Sequence, residues 1–203
     1  KPLEFCNLSE VIVRPDDRVE VLLEKVEGAV ILGTLQSTLT DFDFLRDEWK
    51  INCDDERLLG VSLTGEMDNS LLNGSEGMDV LRETLILMRE YARATNVYWA
   101  HKLGVKPSAA ITTVKPSGTV SLLCDTASGI HARHSEYYIR TVRVDKKDPL
   151  YEFMKDQGVP TEDCVMKPET TAVCSFAFKS PEGSLTRDDV SALDMLEWWL
   201  TYK

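Results

Sequence analysis

Apolar residues recur along this chain with two different periods, and the alternation between them outlines the elements. Residues 4–13, "EFCNLSEVIV", start polar and end in a β-branched run, which predicts a strand. "RPDD" follows, and Asp16 or Asp17 is placed to cap a helix running to about Gln36, with Val19, Leu22, Leu23, Val26 and Val30 at helical spacing. A polar connection dotted with aromatics leads to "RLLGVSLTG", a short buried strand closed by Gly65. The turn-rich "DNSLLNGSEG" then precedes a strongly periodic helix over about 77–103. Leu81, Leu85, Met88 and Ala92 share one face of it, and Gly104 suits the position just past its end. "AAITTVK" and "YYIRTVRV" read as strands. "DPLYEFMKDQG" is a short helix with Pro149 in its first turn and Gly158 after its last. "TAVCSFAFKS" alternates as a strand does, and "SLTRDDVSALDMLEWWLTYK" closes as a helix that Thr186 can cap, with Asp188 and Asp189 at the positive end of its dipole.

Strand and helix alternate for most of the length. That order predicts an α/β layered or barrel fold with largely parallel strands, buried on both faces where they read "LLGVSL" and "AAITTV". No repeat and no linker rich in Pro, Gly or Ser divides residues 1–203, so they are expected to form a single segment without an internal boundary. The last helix has no strand after it, an awkward stop for a self-contained α/β domain.

Charge and cysteine content narrow the chemistry. The 203 residues carry a formal net charge of −11, which disfavours a nucleic-acid polymer as partner while leaving room for one nucleotide in a local pocket. No apolar run approaches the roughly 20 residues that cross a bilayer, and the chain begins with Lys rather than a signal peptide. A cytoplasmic location without membrane association is expected, in a piece of a longer protein. The five cysteines are odd in number, widely spaced and without a CxxC, which argues against a disulfide framework or a zinc site. Cys124 lies in an apolar stretch and reads as a packed thiol; Cys53, in "NCDDER", reads as polar and exposed. His131 and His134 in "GIHARHSE" lack carboxylate or cysteine company, so they read as loop residues and no metal is assigned.

One stretch asks for a reason. "AITTVKPSGTVSLL" breaks an apolar run with a proline, a glycine and hydroxyls, then resumes it. If a helix starts there, its first N–H groups have no intrahelical partners and its dipole favours negative charge. Gly118 permits close backbone approach, Ser117, Thr119 and Ser121 can add hydroxyl donors, and Pro116 fixes the entry angle without wasting a donor. The pattern is neither GxxxxGK[ST] nor GxGxxG. A phosphate site and a plain capped turn both satisfy these residues.

"ITTVKPSGTVSLL" together with "HSEYYIRTVRV" resembles the catalytic barrel of ribonucleotide reductases, most closely the adenosylcobalamin-dependent (class II) ribonucleoside-triphosphate reductases. "EFCNLSEV", "RLLGVSLTGEMD" and "SALDMLEWWLTYK" agree, in family order and over nearly the whole chain. Diiron relatives have glutamate where Gly118 stands, which favours class II. The resemblance implies part of a ten-stranded α/β barrel, truncated at both ends. It implies radical reduction of a ribonucleoside di- or triphosphate, with adenosylcobalamin as cofactor and a thioredoxin-like or dithiol reductant as partner. Pro116, Ser117, Gly118, Thr119 and Val120 would hold the substrate phosphates.

In that family a thiyl-radical cysteine sits in an N-x-C-x-E pattern. Cys6 has Glu4 two before it and Leu8 two after, so it fails that pattern; Phe5-Cys6-Asn7-Leu8 instead matches the motif of one of the two reducing cysteines. The resemblance therefore makes Cys6 a redox thiol whose partner, like the radical cysteine, lies in a missing N-terminal part of the reductase. The chain alone is then expected to be inactive. Two other readings fit the same residues: a nucleotide-phosphate binding module without the chemistry, and a complementing half of a split reductase.

Overall fold

A computed structural model describes all residues, 1–203. In chain order the elements are β1 (Asn7–Ile12), α1 (Val19–Gln36), α2 (Asp47–Glu56), β2 (Leu59–Thr64), a 3-10 turn (Glu66–Asp68), α3 (Met78–Leu103), α4 (Val120–Leu123), β3 (Tyr137–Asp145), α5 (Pro149–Asp156), β4 (Thr161–Asp163), β5 (Thr171–Lys179) and α6 (Ala192–Tyr202). They fall into two compact units: residues 1–133 with 182–203, and residues 134–181. No composition change marks either junction, so packing alone draws the line.

In the first unit β1 and β2 pair in parallel, Asn7 opposite Leu59 and Ile12 opposite Thr64. A parallel pair needs a crossover, and α1 with α2 supplies it. Leu22, Val26, Ala29, Val30 and Gly33 of α1 are buried at helical spacing. Gly33 lets the helix sit close to the sheet, since a Cβ there would stand 3.2 Å from the Leu59 side chain. Leu81, Met88 and Ala92 of α3 join the same core, with Leu85 packed at its edge. Asn96 of α3 is fully buried and satisfied: it donates to Thr34 Oγ1 and Ser108 Oγ, both at 3.0 Å, and accepts from Ser108 N–H at 2.8 Å. Gly104 ends α3 in the left-handed conformation.

The second unit is antiparallel, with strand order β3-β5-β4. Tyr137 pairs with Lys179 at one end of the β3–β5 ribbon and Asp145 with Thr171 at the other. Tyr151 of α5 packs on Ala172 and Cys174 of β5. Asp148 caps α5 by accepting from Leu150 N–H at 2.9 Å, with Pro149 at the first helical position.

Several expectations change. Parallel pairing is confined to the first unit, because the ribbon of β3 and β5 runs locally and needs no crossover. Residues 109–114 form no full strand; they meet β2 through one bridge, Thr112 to Val61, and through bonds such as Thr113 N–H to Val61 C=O at 2.9 Å. With a neighbour on one edge only, most of "AAITTV" is exposed rather than buried, whereas β2 is buried almost throughout. α2 lies where the sequence reading has a connection; it is polar nearly all round and buries only Cys53, which is therefore not exposed. Neither Asp16 nor Asp17 caps α1: Asp17 accepts from Arg14 N–H at 2.8 Å and pairs with Lys25. Thr186 binds Asp189 in a turn, and α6 starts later, at Ala192, behind Ser191, which forms a reciprocal capping box with Asp194.

Candidate functional site

Cys6 stands one residue before β1, and its thiol turns onto β2. A Cβ built on Gly60 would meet Cys6 Sγ at 3.0 Å, Leu8 Cδ2 at 2.5 Å and Thr113 Cγ2 at 3.4 Å. Only a glycine at 60 leaves the thiol that place. Residue 6 is exposed as a whole, yet burial of its sulfur pushes the thiol above its ordinary range. The Lys115 charge opposes that shift and Glu4 adds to it. Cys6 thus carries its proton at neutral pH. It also shares a cavity of about 270 Å³ with Phe5, Phe42 and Cys53. Phe5 stacks on Trp49 at 4.6 Å, and its N–H points to Cys53 Sγ at 3.4 Å.

Thr113 and Lys115 lead from the neighbourhood of Cys6 into the loop at 116–120. Ser117 is buried there, while Pro116, Gly118 and Thr119 are exposed. Ser117 Oγ accepts from Val120 N–H at 3.1 Å and from Ser121 N–H at 3.4 Å. The capped-turn reading is therefore present, and α4 behind it is one turn long. Three backbone donors are left over: the N–H groups of Ser117, Gly118 and Thr119 make no intramolecular hydrogen bond, and neither does the Thr119 hydroxyl. Gly118 has no left-handed φ, and a Cβ built on it meets nothing within 4 Å. Neither backbone strain nor internal packing calls for glycine at that position.

The loop rests on residues 125–129. Ser128 Oγ donates to Ser117 C=O at 2.6 Å, and Gly129, at φ +55°, lies against Pro116, where a Cβ would come 3.0 Å from Pro116 Cα. His131 places Nδ1 3.0 Å from Ser128 C=O. No group of three or more His, Cys, Asp or Glu side chains could hold a metal ion. Cys124 is half-buried, Cys164 and Cys174 are buried, and all five cysteines are free.

One residue has no counterpart in the sequence reading. Glu66 is buried, and its Oε2 has no hydrogen-bond partner. It lies on the wall of a cavity of about 530 Å³ together with Leu85, Met88, Trp199 and Tyr202. Burial pushes its carboxyl up to about 8; its own N–H opposes the shift, and the charges of Glu10 and Asp68 add to it. A glutamate between Gly65 and Met67 in an apolar run was the available signal.

No family model matches the chain. Single proteins do. An adenosylcobalamin-dependent ribonucleoside-triphosphate reductase of Lactobacillus acidophilus is 39% identical over 167 residues, 82% of this chain and 20% of that protein. The enzyme of the same name from Lactobacillus delbrueckii subsp. bulgaricus is 37% identical over 195 residues, 84% of this chain and 26% of its own length. That from Euglena gracilis is 30% identical over 121 residues, 60% of this chain and 15% of its own. Among solved structures, a crystal structure of a B12-dependent (class II) ribonucleotide reductase superposes with a TM-score of 0.78 at 22% identity, covering 98% of this chain and 31% of that one. The chain thus spans about a fifth of the length of such relatives. Sequence and fold together define a catalytic domain of the B12-dependent (class II) ribonucleotide reductase kind. Within that class its relatives are the ribonucleoside-triphosphate reductases.

Proposed function

We propose that this chain is a segment of a ribonucleotide reductase's catalytic barrel that seats the substrate phosphates and offers one thiol of a reducing pair. The observation that carries the reading is Gly118, an exposed glycine with no conformational or packing need, in a run of three unpaired N–H groups, those of Ser117, Gly118 and Thr119. A phosphate oxygen can approach backbone there at hydrogen-bond distance, and a side chain would stand in its way. Gly118 and Thr119 supply the donors, Pro116 and Ser117 set the loop, and Val120 turns its N–H inward to hold Ser117.

Cys6 then serves the reduction. The 2′ hydroxyl leaves as water, Cys6 and a second thiol become a disulfide, and their two electrons and two protons go to the ribose carbon and the departing oxygen. A thiol held above its ordinary pKa keeps the proton this step needs. Adenosylcobalamin, the coenzyme in the relatives' names, supplies radical initiation when bound. The two cavities of about 530 and 270 Å³ are drug-sized or smaller and do not enclose a corrin.

The test combines the chain with the N-terminal part of a related reductase, adenosylcobalamin, a dithiol and a ribonucleoside triphosphate. Deoxynucleotide should form, and the Cys6→Ser chain should form none. A mixture that binds the triphosphate without turnover for either chain would leave the binding-module reading.

A further inference from the structure

We infer that Asp68 and Arg133 are positioning residues for the 116–120 loop, acting through residues 125–129. The inference rests on the phosphate-seat reading of that loop.

The chain of bonds is continuous within the first unit. Arg133 grips Asp68 with two parallel hydrogen bonds, Nε to Oδ1 at 2.9 Å and Nη2 to Oδ2 at 2.8 Å. Both side chains are almost completely buried, at 4% and 1% exposure. Such a pair is expensive to desolvate and is retained only where every remaining site is satisfied. Here the remaining sites are used on the segment beneath the loop. Asp68 Oδ2 also accepts from Ala127 N–H at 2.8 Å, and Oδ1 from Ser184 Oγ at 2.9 Å. Arg133 Nη2 donates to Asp125 C=O at 2.9 Å and Nη1 to Asp125 Oδ1 at 3.0 Å. Asp125 is held at φ +49°, a left-handed conformation that a non-glycine residue keeps only when its surroundings enforce it.

Ala127 is gripped on its other side as well: its C=O accepts from Gly65 N–H at 2.9 Å and from Thr64 Oγ1 at 3.0 Å. One residue further, Ser128 Oγ holds Ser117 C=O; Gly129 abuts Pro116; and Thr126 N–H closes onto Ser121 C=O at 2.9 Å. The buried charges thus fix a segment whose next contacts are the backbone of the loop on both sides of Gly118. A short one-turn helix cannot hold that loop rigid by itself. Neither Asp68 nor Arg133 needs to touch a ligand for its loss to misplace the donors of Gly118 and Thr119.

Two measurements test this on the whole chain. Hydrogen exchange, followed by mass spectrometry, should show faster exchange over 116–130 in Asp68→Asn than in the wild type, with α1 unchanged. Calorimetry should show at least a 10-fold weaker Kd for a ribonucleoside triphosphate, with the Kd for the corresponding nucleoside unchanged. That selective loss is one a general destabilisation does not produce. Arg133→Lys keeps the charge and loses the fork, and serves if Asp68→Asn does not fold; it should show the same pattern. Unchanged exchange over 116–130 in a folded variant overturns the inference. So does loosening of the segment with triphosphate affinity intact. If the wild type fails to prefer the triphosphate to the nucleoside, the phosphate seat falls and the positioning role with it, while the exchange data still report whether the buried pair holds the segment.

Discussion

Cys6, one residue before β1, lays its thiol against Gly60 of β2, the strand partner of Leu8, so that a Cβ at 60 would stand 3.0 Å from Cys6 Sγ and 2.5 Å from Leu8 Cδ2. Gly60→Ala should displace Cys6 and Leu8, whose mobile ends can yield, at a stability loss of about 1–2 kcal/mol. The thiol should move toward water, and alkylation of the Cys6 peptide, followed by mass spectrometry, should accelerate several-fold. An unchanged rate would mean that Gly60 does not set the thiol's place.

Gly118 offers the opposite case. A Cβ there meets nothing, so Gly118→Glu should leave the thermal midpoint within about 2 °C of the wild type, as a surface substitution does. The new carboxylate would face the donors of the loop, and triphosphate affinity should fall at least 10-fold. Equal affinity in calorimetry would sink the phosphate seat.

Gly65, by contrast, is demanded by the fold. Its φ is +94°, and a Cβ would come 2.4 Å from the Val13 carbonyl oxygen, a backbone atom that cannot rotate away. Gly65→Ala should cost about 2–4 kcal/mol in urea denaturation. A loss under 1 kcal/mol would contradict this turn geometry.

Glu66 makes stability depend on pH with a definite sign. Its folded pKa of about 8 lies above its ordinary value of 4.5, so the folded chain binds more protons than the unfolded one between those values. This contribution is greatest below pH 4.5 and is lost as pH rises through about 8. The loss amounts to roughly 3 kcal/mol by pH 7. Glu66→Gln should be the more stable protein at pH 8 and should flatten the profile over that window. A profile from pH 5 to 8 unaffected by the substitution would remove Glu66 as its source.

The parts of the fold legible in sequence are those whose own residues decide them. The apolar face of α3 and the glycine after it, the proline that opens α5, and the buried run of β2 all carry local signals, and each is found. α2 has no apolar face to announce it, since its neighbours ask only Cys53 to be buried. The 109–114 segment has strand composition, but pairing is a property of neighbours, and it has one. Thr186 and Ser191 are equally good caps by residue type; Asp194, three residues after Ser191, completes the reciprocal bonds that select it. In the site, "KPSGTV" identified a place where backbone turns toward solvent, but the division of labour within it needed coordinates. Ser117 takes the inward N–H groups and leaves those of Gly118 and Thr119 outward. Asp68 and Arg133 are 65 residues apart in sequence, and no spacing rule links them.

The excursion through 134–181 begins and ends on a common anchor. Arg133 N–H donates to Leu185 C=O and Arg187 N–H to Arg133 C=O, each at 2.8 Å, so the points where the chain departs and returns are already stitched together. Because the cost of joining two tethered ends rises only with the logarithm of the length between them, the excursion is free to grow, shrink or be exchanged for a different hairpin. The first unit thus closes this junction with its own backbone, at the same arginine whose side chain grips Asp68.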